Sequence, residues 1–216
     1  PAVMTLEVTG ANDAPVITSW PDSASYIEDA EPTLLAEHLD LSDVDAADAG
    51  GNLSEAVVVV TGYVAGEDVF EFDADVLLAA EGAGITLTET EAAGPLRLTL
   101  SAAAEAGAPA SAFADVLKTL TYANINAGDP NLDPRELTLT VTDTSGDAES
   151  EESIPAVMTL EVTGANDAPV ITNWAGTASY AEGAAATALA PDLDLSDVDA
   201  ADAGGNLSKA VVVVAN

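Results

Sequence analysis

Apolar and polar residues alternate in several short segments of the chain, which predicts half-buried antiparallel strands. Leucine or valine fills every second position, and threonine or glutamate usually stands between them. The alternating segments are residues 5–9, 86–89, 97–100 and 136–142, and residues 68–72 form a further candidate strand. The apolar run at residues 57–60 predicts a strand buried on both faces. Clusters of Asn, Gly, Asp and Pro separate these segments, as turns do between strands.

Residues 111–120 have a helical spacing instead, with Ser111 as the expected N-cap and one apolar face formed by Phe113, Val116, Leu117 and Leu120. Many short strands and one short helix predict an all-β fold, an immunoglobulin-like or cadherin-like β-sandwich. The expected core of this sandwich comprises Val57, Val59, Phe70, Phe72, Leu98, Leu100, Phe113, Leu117, Leu137, Leu139 and Val141.

An internal repeat organises the chain. Residues 1–18 recur unchanged as residues 155–172, so the offset is 154 residues, and residues 39–54 recur at the same offset. A period of this length is the size of a domain. The Gly-Ala-Asn-Asp-Ala-Pro segment is the natural boundary because it interrupts two strand-like runs.

This boundary divides the chain into three parts. Residues 1–13 are interpreted as the last strand and linker of a preceding repeat, residues 14–167 as one complete repeat, and residues 168–216 as the opening part of the next. The chain is therefore expected to be a piece of a longer polypeptide. The two end segments are expected to be ordered only by contact with a neighbouring copy or by strand exchange, because neither buries its apolar face alone.

The charge of the chain restricts its partners. Four basic residues stand against 38 acidic ones, for a formal net charge of −34. Such a field repels nucleic-acid phosphates and anionic lipid surfaces, so we expect no nucleic-acid partner. No apolar run approaches the roughly 18 residues of a membrane span, so we expect no membrane insertion. The acidity is explained by bound divalent cations, by adaptation to salt, or by a surface kept for solubility.

Catalytic chemistry has few candidates. His38 is the single histidine, and aspartate stands at the equivalent position 192 of the second copy. The chain has no cysteine and no phosphate-binding glycine loop. We therefore expect His38 to be a surface residue and the chain not to be an enzyme.

Calcium has many more candidate ligands, since it takes six to eight oxygens from carboxylates, amides and carbonyls. Asp43 and Asp45 lie two residues apart and recur as Asp197 and Asp199. Glu28 and Asp143 are further candidates. The alternative interpretation of such Asp-rich loops is a turn with solvated carboxylates.

In combination these residues resemble a known family. The Asn12-Asp13 and Asn166-Asp167 linkers are similar to those of cadherins and of the cadherin-like, VCBS-type repeats of giant bacterial surface adhesins. Glu28 and its counterpart Glu182 stand where those repeats carry a glutamate, ahead of the Asp-x-Asp motif. The linker departs from the cadherin pattern, because Gly10-Ala11 replaces the aspartate that precedes Asn-Asp.

The resemblance implies a calcium-stiffened extender repeat of a secreted or surface-anchored bacterial protein, which contacts neighbouring repeats or identical copies. Its implied calcium ligands are Asn12, Asp13, Glu28, Asp43, Asp45, Asp143, Asn166, Asp167, Glu182, Asp197 and Asp199. At the second linker we expect Asn166, Asp167, Glu182, Asp197 and Asp199 to meet Glu28, Asp143 or Asp147 of the preceding repeat. The alternatives are a self-assembling filament or sheath subunit and a carbohydrate-binding module built on Trp20 and Trp174.

Overall fold

The computed structural model describes residues 3–6, 11–45, 52–91, 94–144, 151–201 and 206–214. Within this part the fold is mostly β-structure, arranged like a β-sandwich, with two short α-helices. The helices are α1 (Ala74–Gly82) and α2 (Ala110–Leu117). The strands are β1 (Val16–Thr18), β2 (Ser23–Ile27), β3 (Thr33–Leu34), β4 (Asp40–Ser42), β5 (Leu53–Thr61), β6 (Asp68–Glu71), β7 (Ile85–Glu91), β8 (Leu96–Ala102), β9 (Thr121–Asn124), β10 (Arg135–Asp143), β11 (Ala156–Thr163), β12 (Val170–Thr172) and β13 (Asp194–Ser196).

The larger sheet has six strands in the order β2-β11-β10-β5-β8-β7. Its first and last strands in the chain, β2 and β11, are parallel neighbours, while the other pairings are antiparallel. A smaller sheet in the order β3-β9-β6 faces the core together with α2. The predicted all-β fold is thus confirmed at the level of its architecture, and no helix of the described residues has the length and apolarity to cross a membrane.

The core lies between the two sheets, and alternation decides which side chains enter it. On β10, every second residue is buried, namely Arg135, Leu137, Leu139, Val141 and Asp143. Burial of each of the three apolar side chains contributes about 1.5–3 kcal/mol. Ten of the eleven predicted core residues are buried. The exception is Val59, which is half-buried.

Val57 and Val59 lie on the opposite face of the sheet from Val58 and Val60, because side chains alternate along β5. Val58 and Val60 belong to the main apolar cluster. Val57 is buried outside that cluster, with Thr99 and Thr140 opposite it on the neighbouring strands. The predicted burial on both faces of the strand is therefore confirmed for Val57, Val58 and Val60, whereas Val59 is half-buried. The placement of Val57 and Val59 in the main core was wrong.

The prediction of one short helix was also wrong, since α1 accompanies the predicted α2. Asp73 caps α1 by accepting hydrogen bonds from the backbone N–H groups of Asp75 and Val76. The signal was weak because α1 has little amphipathic character, and Leu78 on it is mostly exposed. Helix α2 begins at Ala110 after Pro109, so Ser111 lies inside its first turn and is not the N-cap.

The end segments contrast sharply with their internal counterparts. Residues 3–6 form no strand, and Met4 is 90% exposed, whereas its counterpart Met158 in β11 is fully buried. Residues 7–9 of that predicted strand lie outside the described residues. Tyr26 is 2% exposed against Tyr122 and β11, whereas Tyr180 is 62% exposed. Tyr26 is thus buried by β9 and β11 of its own repeat.

Candidate metal centre

The first candidate centre, the N-terminal junction, is formed by Asn12, Asp13, Asp43, Asp45 and Asp143. The Asn12 side-chain amide donates to Asp143 Oδ2 over 2.8 Å, and the Asp13 backbone N–H donates to Asp45 Oδ2 over 2.7 Å. The Asp45 N–H in turn donates to Asp43 Oδ1 over 2.8 Å. The linker and two loops of the repeat therefore meet in one group with four carboxylates.

A β-bulge positions Asp143 in this junction. The register of β10 against β5 shifts between Thr142 and Asp143, which sets Asp143 opposite Leu53. Bulges of this kind re-aim side chains at the ends of strands. Asp143 is fully buried, and the Ser54 hydroxyl donates to its carbonyl oxygen over 2.7 Å.

The second candidate centre, the C-terminal junction, is formed by Glu28, Asn166, Asp167, Asp197 and Asp199. Glu28 Oε2 accepts a 2.8 Å hydrogen bond from the Ala165 backbone N–H in the linker. The Asp167 N–H donates to Asp199 Oδ2 over 2.6 Å, and the Asp199 N–H donates to Asp197 Oδ1 over 3.2 Å. Glu28 thus brings the body of the repeat into contact with the linker that leads to the next one.

The two junctions share one local design. Asp13 bonds Asp45 as Asp167 bonds Asp199, and the turn within each Asp-Val-Asp motif is closed in the same way. The N-terminal junction adds Asp143 from the repeat that follows the linker. The C-terminal junction adds Glu28 from the repeat that precedes it. Each junction therefore displays a different half of one repeated arrangement.

Both junctions hold carboxylates in an unfavourable environment. Glu28 is 4% exposed and Asp43 is 9% exposed, and each has one side-chain oxygen without a hydrogen-bond partner among the described residues. Burial raises the pKa of Glu28, and the charges of Asp167, Asp29 and Asp199 raise it further. Loss of solvation likewise raises the pKa of Asp43, as do the neighbouring aspartates of its junction. The ionised form of each of these carboxylates is thus disfavoured unless a positive charge lies beside it.

Replacement of Glu28 by glutamine should stabilise the protein at pH 7 without divalent cations and destabilise it with them. Folding raises the pKa of Glu28 above its ordinary value of 4.5. The folded state therefore loses stability as the pH rises from 4.5 through the pKa of the folded state. Glutamine removes this loss, and its oxygen can still accept from Ala165. Thermal melts between pH 4 and 8, with chelator or with calcium, measure the effect.

The matched control is replacement of the exposed Glu161 of β11 by glutamine. It should leave the difference between the melting temperatures with calcium and with chelator unchanged. A Glu28→Gln protein that melts like the wild type under both conditions would show that Glu28 carries no buried charge of consequence.

The donor set suits a hard cation. Carboxylate, amide and backbone oxygens are the ligands that calcium takes, and the unpartnered oxygens of Glu28, Asp43 and Asp167 supply acceptors at the two junctions. As placed, however, no three acidic, histidine or cysteine side chains of the described residues lie close enough together to enclose a metal ion. An ion at either junction therefore requires the carboxylates to converge further as it binds.

Two of the predicted ligands lie away from the expected place. Asp143 belongs to the N-terminal junction, because it ends β10 at the opposite side of the repeat from residue 135, where the strand begins. Glu182 is exposed, and no hydrogen bond of the described residues joins it to the C-terminal junction. Its counterpart Glu28 explains this position, because Glu28 meets the linker that follows its own repeat. Asp147 lies outside the described residues.

The remaining candidates are placed more simply. His38 is exposed in a turn. Trp20 is partly buried and packs against the core, so its ring does not form an open stacking platform. Trp174 is 55% exposed.

Sequence reasoning missed a buried ion pair beside the C-terminal junction. The guanidinium of Arg135 donates to both carboxylate oxygens of Asp68, at 2.9 Å from Nε and 2.8 Å from Nη2, and both side chains are fully buried. The Tyr122 hydroxyl donates to Asp68 Oδ1 over 2.7 Å. Arg135 also donates to the carbonyl oxygens of Asn131 and Asp133. The sequence does carry one sign of this pair. Arg135 stands in the same alternation as Leu137 and Leu139, so it lies on the buried face of β10.

The chain matches no protein-family model, and it has no significant match among curated proteins.

Proposed function

We propose that this protein is a calcium-stiffened structural repeat that extends a large extracellular bacterial adhesin or surface filament. Its immunoglobulin-like or cadherin-like sandwich would serve as a spacer, and its acidic junctions would set the angle between successive spacers. The proposed function needs no catalytic residue, and we infer that the chain is not an enzyme.

The observation that carries the proposal is that the two junctions are complementary halves of one arrangement. The linker Asn-Asp and the Asp-Val-Asp motif occur in both, with the same hydrogen bonds. Glu28 reaches the linker from the preceding repeat, and Asp143 reaches it from the following repeat. A junction between two complete repeats would combine both contributions, with five carboxylates and one amide.

Five ionised carboxylates at one joint repel one another unless a cation or protonation neutralises part of their charge, because solvent is partly excluded. Calcium bound by oxygens from both repeats would turn this repulsion into attraction and favour one angle between them. Such convergence would be aided by the position of the carboxylates, since Glu28, Asp167 and Asp197 lie outside strands and Asp143 lies at the bulged end of β10. The net charge of −34 supports the same interpretation, because such a chain gains from bound divalent cations.

Calcium should raise the melting temperature of the chain far more than an equal ionic strength of sodium chloride. By linkage, an ion that binds only the folded state stabilises it by about 2.7 kcal/mol at one hundred times its dissociation constant. Thermal melts with calcium, with chelator, and with chelator plus sodium chloride measure this difference. Equal stabilisation by calcium and by sodium at matched ionic strength would contradict calcium binding and favour a general adaptation to salt.

A further inference from the structure

Val198 of the second copy is less exposed than its counterpart in the complete repeat, whereas nearby side chains of the second copy are more exposed than theirs. Leu193 and Leu195 are 36% and 40% exposed, whereas their counterparts Leu39 and Leu41 are 0% and 4% exposed. Val198 shows the reverse, since it is 47% exposed while its counterpart Val44 is 76% exposed. Something therefore covers Val198 that does not cover Val44.

The cover is the loop between β9 and β10 of the complete repeat, residues 125–134. A methyl group placed on Gly128 would lie 3.5 Å from Val198 Cγ2, so the loop backbone passes directly beside the valine. Ala127, Gly128, Ala168, Val170 and Val198 line one shallow hollow of about 380 Å³ together with the Asp167 side of the linker. Val44, at 76% exposed, has no comparable cover among the described residues.

The loop is held in place by the body of its own repeat. Glu67 accepts hydrogen bonds from the Asn126 side chain at 3.3 Å and from the Asn131 N–H at 2.9 Å. Arg135, itself bound to Asp68, holds the carbonyl oxygens of Asn131 and Asp133. Pro130 at the centre of the loop is buried. These bonds make the loop a firm surface that does not depend on the junction carboxylates.

We propose that loop 125–134 is a docking surface for the next repeat, which engages it through Val198, the residue between the two aspartates of the Asp-Val-Asp motif. The contact is apolar and needs no bound ion. It partly orients the following repeat before any cation binds, and it brings Asp197 and Asp199 towards Glu28 and Asp167. The motif thus has two functions, in which its aspartates face the junction and its valine contacts the loop.

The test measures the distance between two spin labels in the 216-residue chain with chelator present. The chain has no cysteine, so Thr88→Cys in β7 and Thr172→Cys in β12 place labels on two exposed strand positions. Wild-type protein is compared with Val198→Ala, and Val44→Ala serves as the control because its sequence surroundings are the same. A third variant, Gly128→Ala combined with Val198→Ala, returns a methyl group to the contact.

Val198→Ala removes two methyl groups, of whose surface the loop covers roughly a third. The ratio of the docked population to the open population should therefore fall about twofold. Val44→Ala should leave the distribution unchanged, and Gly128→Ala should restore part of the loss. Equal distributions for wild type and Val198→Ala would overturn the proposal. The same measurement with calcium distinguishes the docking surface from the proposed calcium junction. If calcium narrows none of the distance distributions, calcium control of the junction is contradicted, while the docking surface is not.

Discussion

Replacement of Asp68 by asparagine is expected to lower the free energy of unfolding by about 3–5 kcal/mol, because it leaves the Arg135 guanidinium buried without its counter-charge. Both side chains are fully buried, and the carboxylate also accepts a hydrogen bond from Tyr122. The loss of these charge-assisted bonds is not offset by water, since solvent does not reach the pair. Urea unfolding of the wild-type and variant proteins measures the difference.

Asp115→Asn is the matched control, because Asp115 forms an exposed ion pair with Lys118 at 3.8 Å. An exposed pair contributes about 0–1 kcal/mol, so this variant should unfold nearly as the wild type does. The double variant Asp68→Leu, Arg135→Met should recover part of the loss, since no uncompensated charge remains. Equal losses for Asp68→Asn and Asp115→Asn would show that the buried pair is not a structural centre of the repeat.

Replacement of both Asp197 and Asp199 by asparagine should abolish the effect of calcium on the shape of a two-repeat protein. Extending the 216-residue chain with a copy of residues 63–167 completes the second repeat, so the junction then has both Glu28 and the counterpart of Asp143. With calcium at one hundred times its dissociation constant, the closed junction should gain about 2.7 kcal/mol. Small-angle scattering should then show a narrower spread of the maximum dimension with calcium than with chelator.

The same pair of substitutions at Asp43 and Asp45 is the control, because those residues have the same sequence surroundings but lie at the outer end of the first repeat. That variant should keep the response of the inner junction to calcium. A wild-type protein whose dimensions are the same with calcium and with chelator would contradict calcium control of the junction, whatever its melting behaviour.

The two predictions concern adjacent parts of one structure. The Arg135–Asp68 pair supports loop 125–134, and the C-terminal junction lies next to that loop. Loss of the pair should therefore also loosen the junction with chelator present. Loss of Asp197 and Asp199 carboxylates should leave the isolated repeat as stable as before, because they belong to the following repeat.

Local pattern was sufficient to predict strands β5 to β8 and β10 of the complete repeat. Alternation placed β7, β8 and β10, and the apolar spacing placed α2, because a side chain's position along a strand or helix sets the face on which it lies. Helix α1 was not predicted because its apolar residues lie on no single face. Its capping residue, Asp73, cannot be told from the aspartate of a turn by sequence. The candidate ligands of both junctions were identified by residue type, but the structure places Asp143 and Glu182 away from the group expected at the second linker.

The sequence by itself determined the 154-residue period, the segments able to form strands and the acidic residues at the linkers, because these depend on local spacing alone. The tertiary structure decided which end of the repeat each carboxylate occupies, and it brought Arg135 to Asp68 across 67 residues of sequence. It also decided the state of identical segments. Residues 3–6 form no strand, while the same sequence in β11 is buried between β2 and β10, because a strand is stable only where partners supply its hydrogen bonds and cover its apolar face.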